Sequence, residues 1–112
     1  MLHTVLTHDL IEISHQSNEN LDALCTLLKE DFAGKENLKS SYVFTLLCEL
    51  VWLNSSILLL LRRDLQDISF KDKTQKEVLV SEKTLGSLTN LSLSRWAAIN
   101  ELNSLSYSLS MH

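Results

Sequence analysis

The chain contains no proline and only two glycines, Gly34 and Gly86, and this shortage of turn-forming residues constrains its fold more than any other feature. An all-β sandwich or barrel turns about every 8–12 residues and draws on glycine and proline to do so. Leucine, a strong helix former, dominates the apolar residues. The β-branched residues are scattered. Together these observations predict an all-α fold, a small bundle of three long antiparallel helices, or four if the first breaks near Ser17. A length of 112 residues fits a single domain spanning 1–112.

Thr7 is placed to cap the first helix, with Asp9 in its first turn. Leu10, Ile13, Leu21, Leu24, Leu28 and Phe32 follow a helical period. The polar run from Ser14 to Asn20 interrupts it. Gly34 is suited to end this unit, and Asn37 to cap the next. The stretch from Gln66 to Lys73 reads as the longest connection. Thr74 and Glu77 have the spacing of a capping box and predict the start of the last helix. Its apolar face would comprise Val78, Leu85, Leu88, Trp96, Ile99, Leu102 and Leu109. Gly86 inside it marks either a break or a place where another helix approaches. The serine- and asparagine-rich end of this helix is either a frayed terminus or a helix held by packing on a partner.

From Tyr42 to Leu61 the chain is almost wholly apolar, long enough to cross a bilayer, and is followed by Arg62 and Arg63. Against a span, Ser41, Thr45, Glu49, Ser56 and Arg63 fall along one helical line, and Glu49 and Asn54 would be costly in lipid. The preferred reading is a central helix buried on most sides, with more apolar surface than two neighbours can cover. That surplus predicts a homodimer or a tight complex with another protein. Trp52 and Trp96 are the large anchors. Trp52 reads as core, and for Trp96 a core position is favoured over an interface hot spot. With Arg95, Leu53 and Leu60 they make up the candidate interface.

A formal net charge of −4 and dispersed basic residues argue against nucleic-acid binding. Cys25 and Cys48 lie in leucine-rich stretches and match no metal or redox spacing, so they read as buried free thiols. No signal peptide is legible from Met1 to Leu10, and a cytoplasmic location is expected. Serines occur in no nucleophile elbow, and two isolated glycines make no phosphate loop.

Two clusters bear on chemistry. Glu12 and His15 form a Glu-x-x-His pair, which di-iron bundles use in duplicate with two further glutamates. A homodimer would supply that count with Glu49, and iron, manganese or zinc would be the metal. A solvated polar face is the simpler account of Glu12 and His15. Glu49 is a functional candidate if buried, but a place on the exposed polar stripe with Thr45 and Ser56 is the favoured reading. The function expected from these exclusions is non-enzymatic, with no cofactor: a small helical adaptor, regulator or inhibitor that docks an apolar helix face. A metal-binding bundle across a homodimer and a small single-span membrane protein are the alternatives.

Overall fold

The structure, a computed structural model, describes residues 1–29, 41–65 and 76–105. In chain order it comprises strand β1 (Leu2–Leu6), helix α1 (Thr7–Leu27), helix α2 (Ser41–Leu65), strand β2 (Glu77–Ser81) and helix α3 (Glu82–Ser104). The protein is mostly helical, with a small two-stranded sheet that the sequence reading did not foresee. The turn at Gly34, the cap at Asn37, the connection from Gln66 to Lys73, Thr74 and Leu109 lie outside the described residues.

β1 and β2 pair antiparallel, with Leu2 opposite Ser81, Thr4 opposite Leu79 and Leu6 opposite Glu77. The bonds Thr7 N–H to Lys76 O (2.9 Å) and Glu82 N–H to Met1 O (3.1 Å) extend the ladder at its two ends. Alternation then decides the faces. Val78 and Val80 are buried and Val5 packs against the same core, while Leu2, Thr4, Leu6 and Leu79 face outward. Two expectations fall with this ribbon. Thr7 does not cap α1: the cap position is Leu6, in extended conformation, and makes no side-chain hydrogen bond. Glu77 and Val78 belong to a strand, and α3 starts at Glu82. Its cap is Ser81, whose Oγ accepts from the Thr84 amide at 3.1 Å. Thr84 Oγ1 in turn donates to Asp64 at 2.8 Å, tying the α3 start to the α2 end. Arg63, bonded at 2.8 Å, and Thr84 hold the Asp64 carboxyl below its ordinary value.

The helices are ordered by two apolar clusters. In one, Leu10 meets Ile57, Leu60, Leu61, Leu65 and Leu88 beneath Val78 and Val80. In the other, Leu24 meets Val43, Leu47, Leu50, Ile99 and Leu102. α1 and α3 therefore run the same way and α2 runs against both. α1 and α3 each pack closely along α2, while their own backbones stand further apart and meet through side chains. At the far end Tyr42 donates its hydroxyl to Glu101, joining the α2 start to the α3 end. α1 is unbroken at Ser17.

α2 is less enclosed than its composition suggests. Thr45, Cys48, Glu49, Trp52, Ser55, Leu59 and Arg62 form an exposed stripe along it. The expectation of a helix buried on most sides is corrected accordingly, because two neighbours cover only the face that carries Leu47, Leu50, Ile57 and Leu61. The cysteines are also corrected: both are free, but Cys25 and Cys48 are exposed, each displaced from the leucine line of its helix. Gly86 is neither a break nor a close approach. α3 runs through it, and a Cβ built there meets nothing within 4 Å. Gly86→Ala is accordingly expected to stabilise the protein by about 0.5–1 kcal/mol through helix propensity, read as a higher midpoint in urea with an unchanged slope.

Candidate functional site

Because α1 and α3 are held apart on α2, an open groove runs between them. Its upper section is a cavity of about 550 Å³ whose walls are Val5, Leu10 and Ile13 on one side and Leu85, Leu88, Leu93 and Trp96 on the other. Its lower section, about 340 Å³, is the more polar, between Gln16, Glu19 and Asn20 of α1 and Arg95 of α3. Ser92 and Trp96 border both sections. The Ser92 hydroxyl is shut off from solvent and has no hydrogen-bond partner.

Arg95 is the chemical centre of this groove. It is only 7% exposed, and its hydrogen-bond partners are all neutral. One terminal nitrogen donates to Ser17 Oγ at 2.7 Å and to Asn54 Oδ1 at 3.1 Å; the other reaches Gln16 Oε1 at 3.4 Å. Asn54 is itself fixed, donating to the Leu50 carbonyl at 2.8 Å and accepting from Asn20 at 3.2 Å. Among the described residues the ion pairs are His8 with Asp9 and Glu12, and Arg63 with Asp64, so Arg95 has none. Burial pulls its pKa below the ordinary arginine value, yet a guanidinium stays charged in proteins. Buried charges are ordinarily paired or neutralised, because the desolvation cost is several kcal/mol per ion. Here a full positive charge is solvated by amide and hydroxyl dipoles and left one carboxylate short.

The residues singled out from sequence separate into three groups. Leu53 and Leu60 are core residues, 3% and 7% exposed, Leu60 reaching only the wall of the cavity beside Trp52. Arg95 is equally enclosed and contributes through the groove floor. Trp52 and Trp96, both favoured as core, are instead 62% and 66% exposed, and they stand on different faces. Trp96 overhangs the α1–α3 groove, whereas Trp52 joins Ser56, Leu59 and Arg63 at a smaller cavity of about 450 Å³ between α2 and α3. Glu12, His15 and Glu49 are all exposed. Among the described residues, the ligand-type atoms that come within 4.8 Å of one another are those of His8, Asp9 and Glu12, at the solvent-facing start of α1.

Sequence reading missed Ser17, Asn20 and Asn54 as members of one network. A signal for the first two was present: Leu10, Ser17, Asn20 and Leu24 share one helical line, so polar residues lie on the line of core leucines. Compared with known proteins, the chain matches no family model, no curated protein and no solved structure.

Proposed function

We propose that the protein is a non-enzymatic interaction module, its three helices forming a bundle open on one side, and that it docks an amphipathic helix of another protein in the α1–α3 groove. The observation that carries this reading is Arg95, a buried cation without a counter-ion at the floor of an apolar groove. A helix laid in such a groove places apolar anchors at i, i+3, i+4 and i+7 against its walls. Leu85, Leu93 and Trp96 supply the apolar contacts, and tryptophan is among the residues most enriched in binding hot spots. A carboxylate on the same guest helix would meet Arg95 from the polar section of the groove. Charge-assisted bonds of that kind are roughly twice as strong as neutral ones. The guest is therefore an acidic amphipathic helix. Glu19, exposed on the rim of the polar section, is the chain's own competitor for the same cation.

Residues Tyr42–Leu65 are long and apolar enough to cross a membrane by length and composition. Their packing against both α1 and α3, and the place of Asn54 in the Arg95 network, favour the docking reading over a single span.

The test uses a panel of synthetic amphipathic helices, each with a Glu positioned beside its leucine face and a Gln-bearing twin. Binding is read from the Trp96 emission of a Trp52→Phe variant. A Glu-bearing peptide is expected to bind with a blue shift, and its Gln twin about tenfold more weakly, the equivalent of about 1.4 kcal/mol. Arg95→Met loses binding, and Glu19→Gln gains it. Equal affinity for Glu and Gln twins, or no binding by any peptide, would overturn the reading.

A further inference from the structure

Within the β1–β2 ribbon the hydrogen-bonded pairs are fixed by its two terminal bonds, Thr7 with Lys76 and Glu82 with Met1. In an antiparallel ladder such pairs alternate with pairs whose N–H and C=O groups point away from the partner strand. His3 and Val5 therefore face β2 with their main-chain groups, opposite Val80 and Val78. Leu2, Thr4 and Leu6 turn theirs outward. The sheet has two strands only, so this outer edge of β1 has no neighbour among the described residues. Edges of this kind are ordinarily blunted by charged residues, proline or a bulge. β2 has Lys76 and Glu77 at its start and Glu82 and Lys83 just beyond its end. From Met1 to Leu6, β1 carries no lysine, acid or proline, and its register is unbroken.

We infer that β1 pairs edge to edge with β1 of a second copy of this chain, antiparallel about a two-fold axis at Thr4, giving a four-stranded sheet across a homodimer. The occupant is a second copy because the edge is complementary to itself. A two-fold at Thr4 sets Thr4 opposite the partner's Thr4, exchanging both of their main-chain bonds. It sets Leu2 opposite the partner's Leu6, whose outward N–H meets the Leu2 carbonyl. The Leu6 carbonyl, at the cap of α1, opens the helical ladder instead. The side chains follow the same symmetry. Leu2 and Leu6, 60% and 51% exposed, would meet the partner's Leu6 and Leu2 on the outer face, and aliphatic cross-strand pairs are a stabilising unit of sheets. On the inner face His3 would stand opposite the partner's Val5. A two-stranded ribbon is marginal alone, and three or more strands with an apolar face are the stable form. Pairing in this way satisfies both edge amides and exposed leucines with one contact. The α1–α3 groove borders the ribbon only at Val5, so each copy in the dimer keeps its own groove.

The experiment is light scattering after size exclusion on the untagged full chain across a concentration series, with three variants. The Thr4 amide points away from β2, so Thr4→Pro removes a donor from the outer edge while leaving the internal ladder intact, as edge prolines do. The wild type is expected to dimerise. Thr4→Pro is expected to weaken dimerisation at least about tenfold with an unchanged helical circular dichroism spectrum. Thr4→Lys, which sets two ammonium groups against each other at the axis, gives the same loss and serves if the proline variant fails to fold. Leu79→Lys lies on the outer face but one strand away from the axis, and leaves the dimer in place. A wild type that stays monomeric at every concentration overturns the inference, as does a folded Thr4→Pro or Thr4→Lys protein that still dimerises. Loss of the dimer in Leu79→Lys overturns it in favour of stacked sheet faces. Peptide binding by a monomeric Thr4→Pro protein would separate this inference from the groove, which stands or falls without it.

Discussion

Replacing Asn54 by leucine is expected to cost about 3 kcal/mol of stability, while replacing its partner Arg95 by methionine costs less than about 1 kcal/mol. The asymmetry follows from what each change leaves behind. Asn54 Oδ1 accepts from both Arg95 and Asn20, at 3.1 and 3.2 Å. Leucine has nearly the same volume but no acceptor, so the variant strands an N–H of a buried guanidinium together with the Asn20 amide. Arg95→Met removes the charge itself. Asn20 and Asn54 keep their mutual bond, and Asn54 keeps the Leu50 carbonyl. The Ser17 hydroxyl can turn to the carbonyl one helical turn before it. Substituting a well-packed apolar chain for a buried charge is often neutral or stabilising. The double variant should therefore be more stable than Asn54→Leu alone, a non-additivity of about 2 kcal/mol between touching residues. Urea unfolding of the four proteins measures it. Equal losses in both single variants would show that Arg95 is a structural post and not a cation held ready for a guest.

Ile57→Ala is expected to cost about 3–4 kcal/mol, against about 0.5 kcal/mol or less for Leu59→Ala. The two residues stand two positions apart in one uninterrupted apolar run. Ile57 is fully buried, packed with Leu10, Leu60, Leu61 and Leu88. Leu59 is 61% exposed on the stripe shared with Trp52. Alanine at 57 opens a cavity where three helices and the ribbon converge, whereas alanine at 59 removes a methyl cluster from the surface. Thermal unfolding in detergent-free buffer reads the difference. Similar shifts for both would mean that α2 is not oriented by α1 and α3, which is the behaviour of a helix surrounded by lipid.

Much of the helical architecture was legible because it depends on local pattern. Leu10 and Leu24, the apolar run of α2, and Leu85, Leu88, Ile99 and Leu102 all lie on helical periods that sequence displays directly. The ribbon was not legible. Val78-Leu79-Val80 is too short an apolar run to distinguish strand from helix, and its partner strand lies at the opposite end of most of the chain. The spacing of Thr74 and Glu77 pointed to a helix start that Ser81 provides instead. Exposure was misjudged where composition replaced position. Trp52, Cys25 and Cys48 were assigned to the core by residue type and neighbours, but each sits off the leucine line of its own helix; Trp96 was placed on the apolar face of α3 by its spacing, and lies at the edge of that face, exposed. The Arg95 network draws three residues from α1 and one each from α2 and α3. Ser14 to Asn20 reads as a weak point of α1 until Arg95 is seen to fill the space that Ser17 and Asn20 leave for it.

The separation of the two strands along the chain sets an order of events. β1 leaves the ribosome first and β2 only after α1 and α2 have been made, so the register of Leu2 with Ser81 closes late. Contacts between such distant segments form slowly, because their loop entropy is lost before the pairing is gained. Until then both edges of β1 are open beside exposed leucines, and on a polysome the nearest complementary strand belongs to a neighbouring nascent chain. The proposed pairing of β1 between copies would therefore begin before either copy has closed its own ribbon.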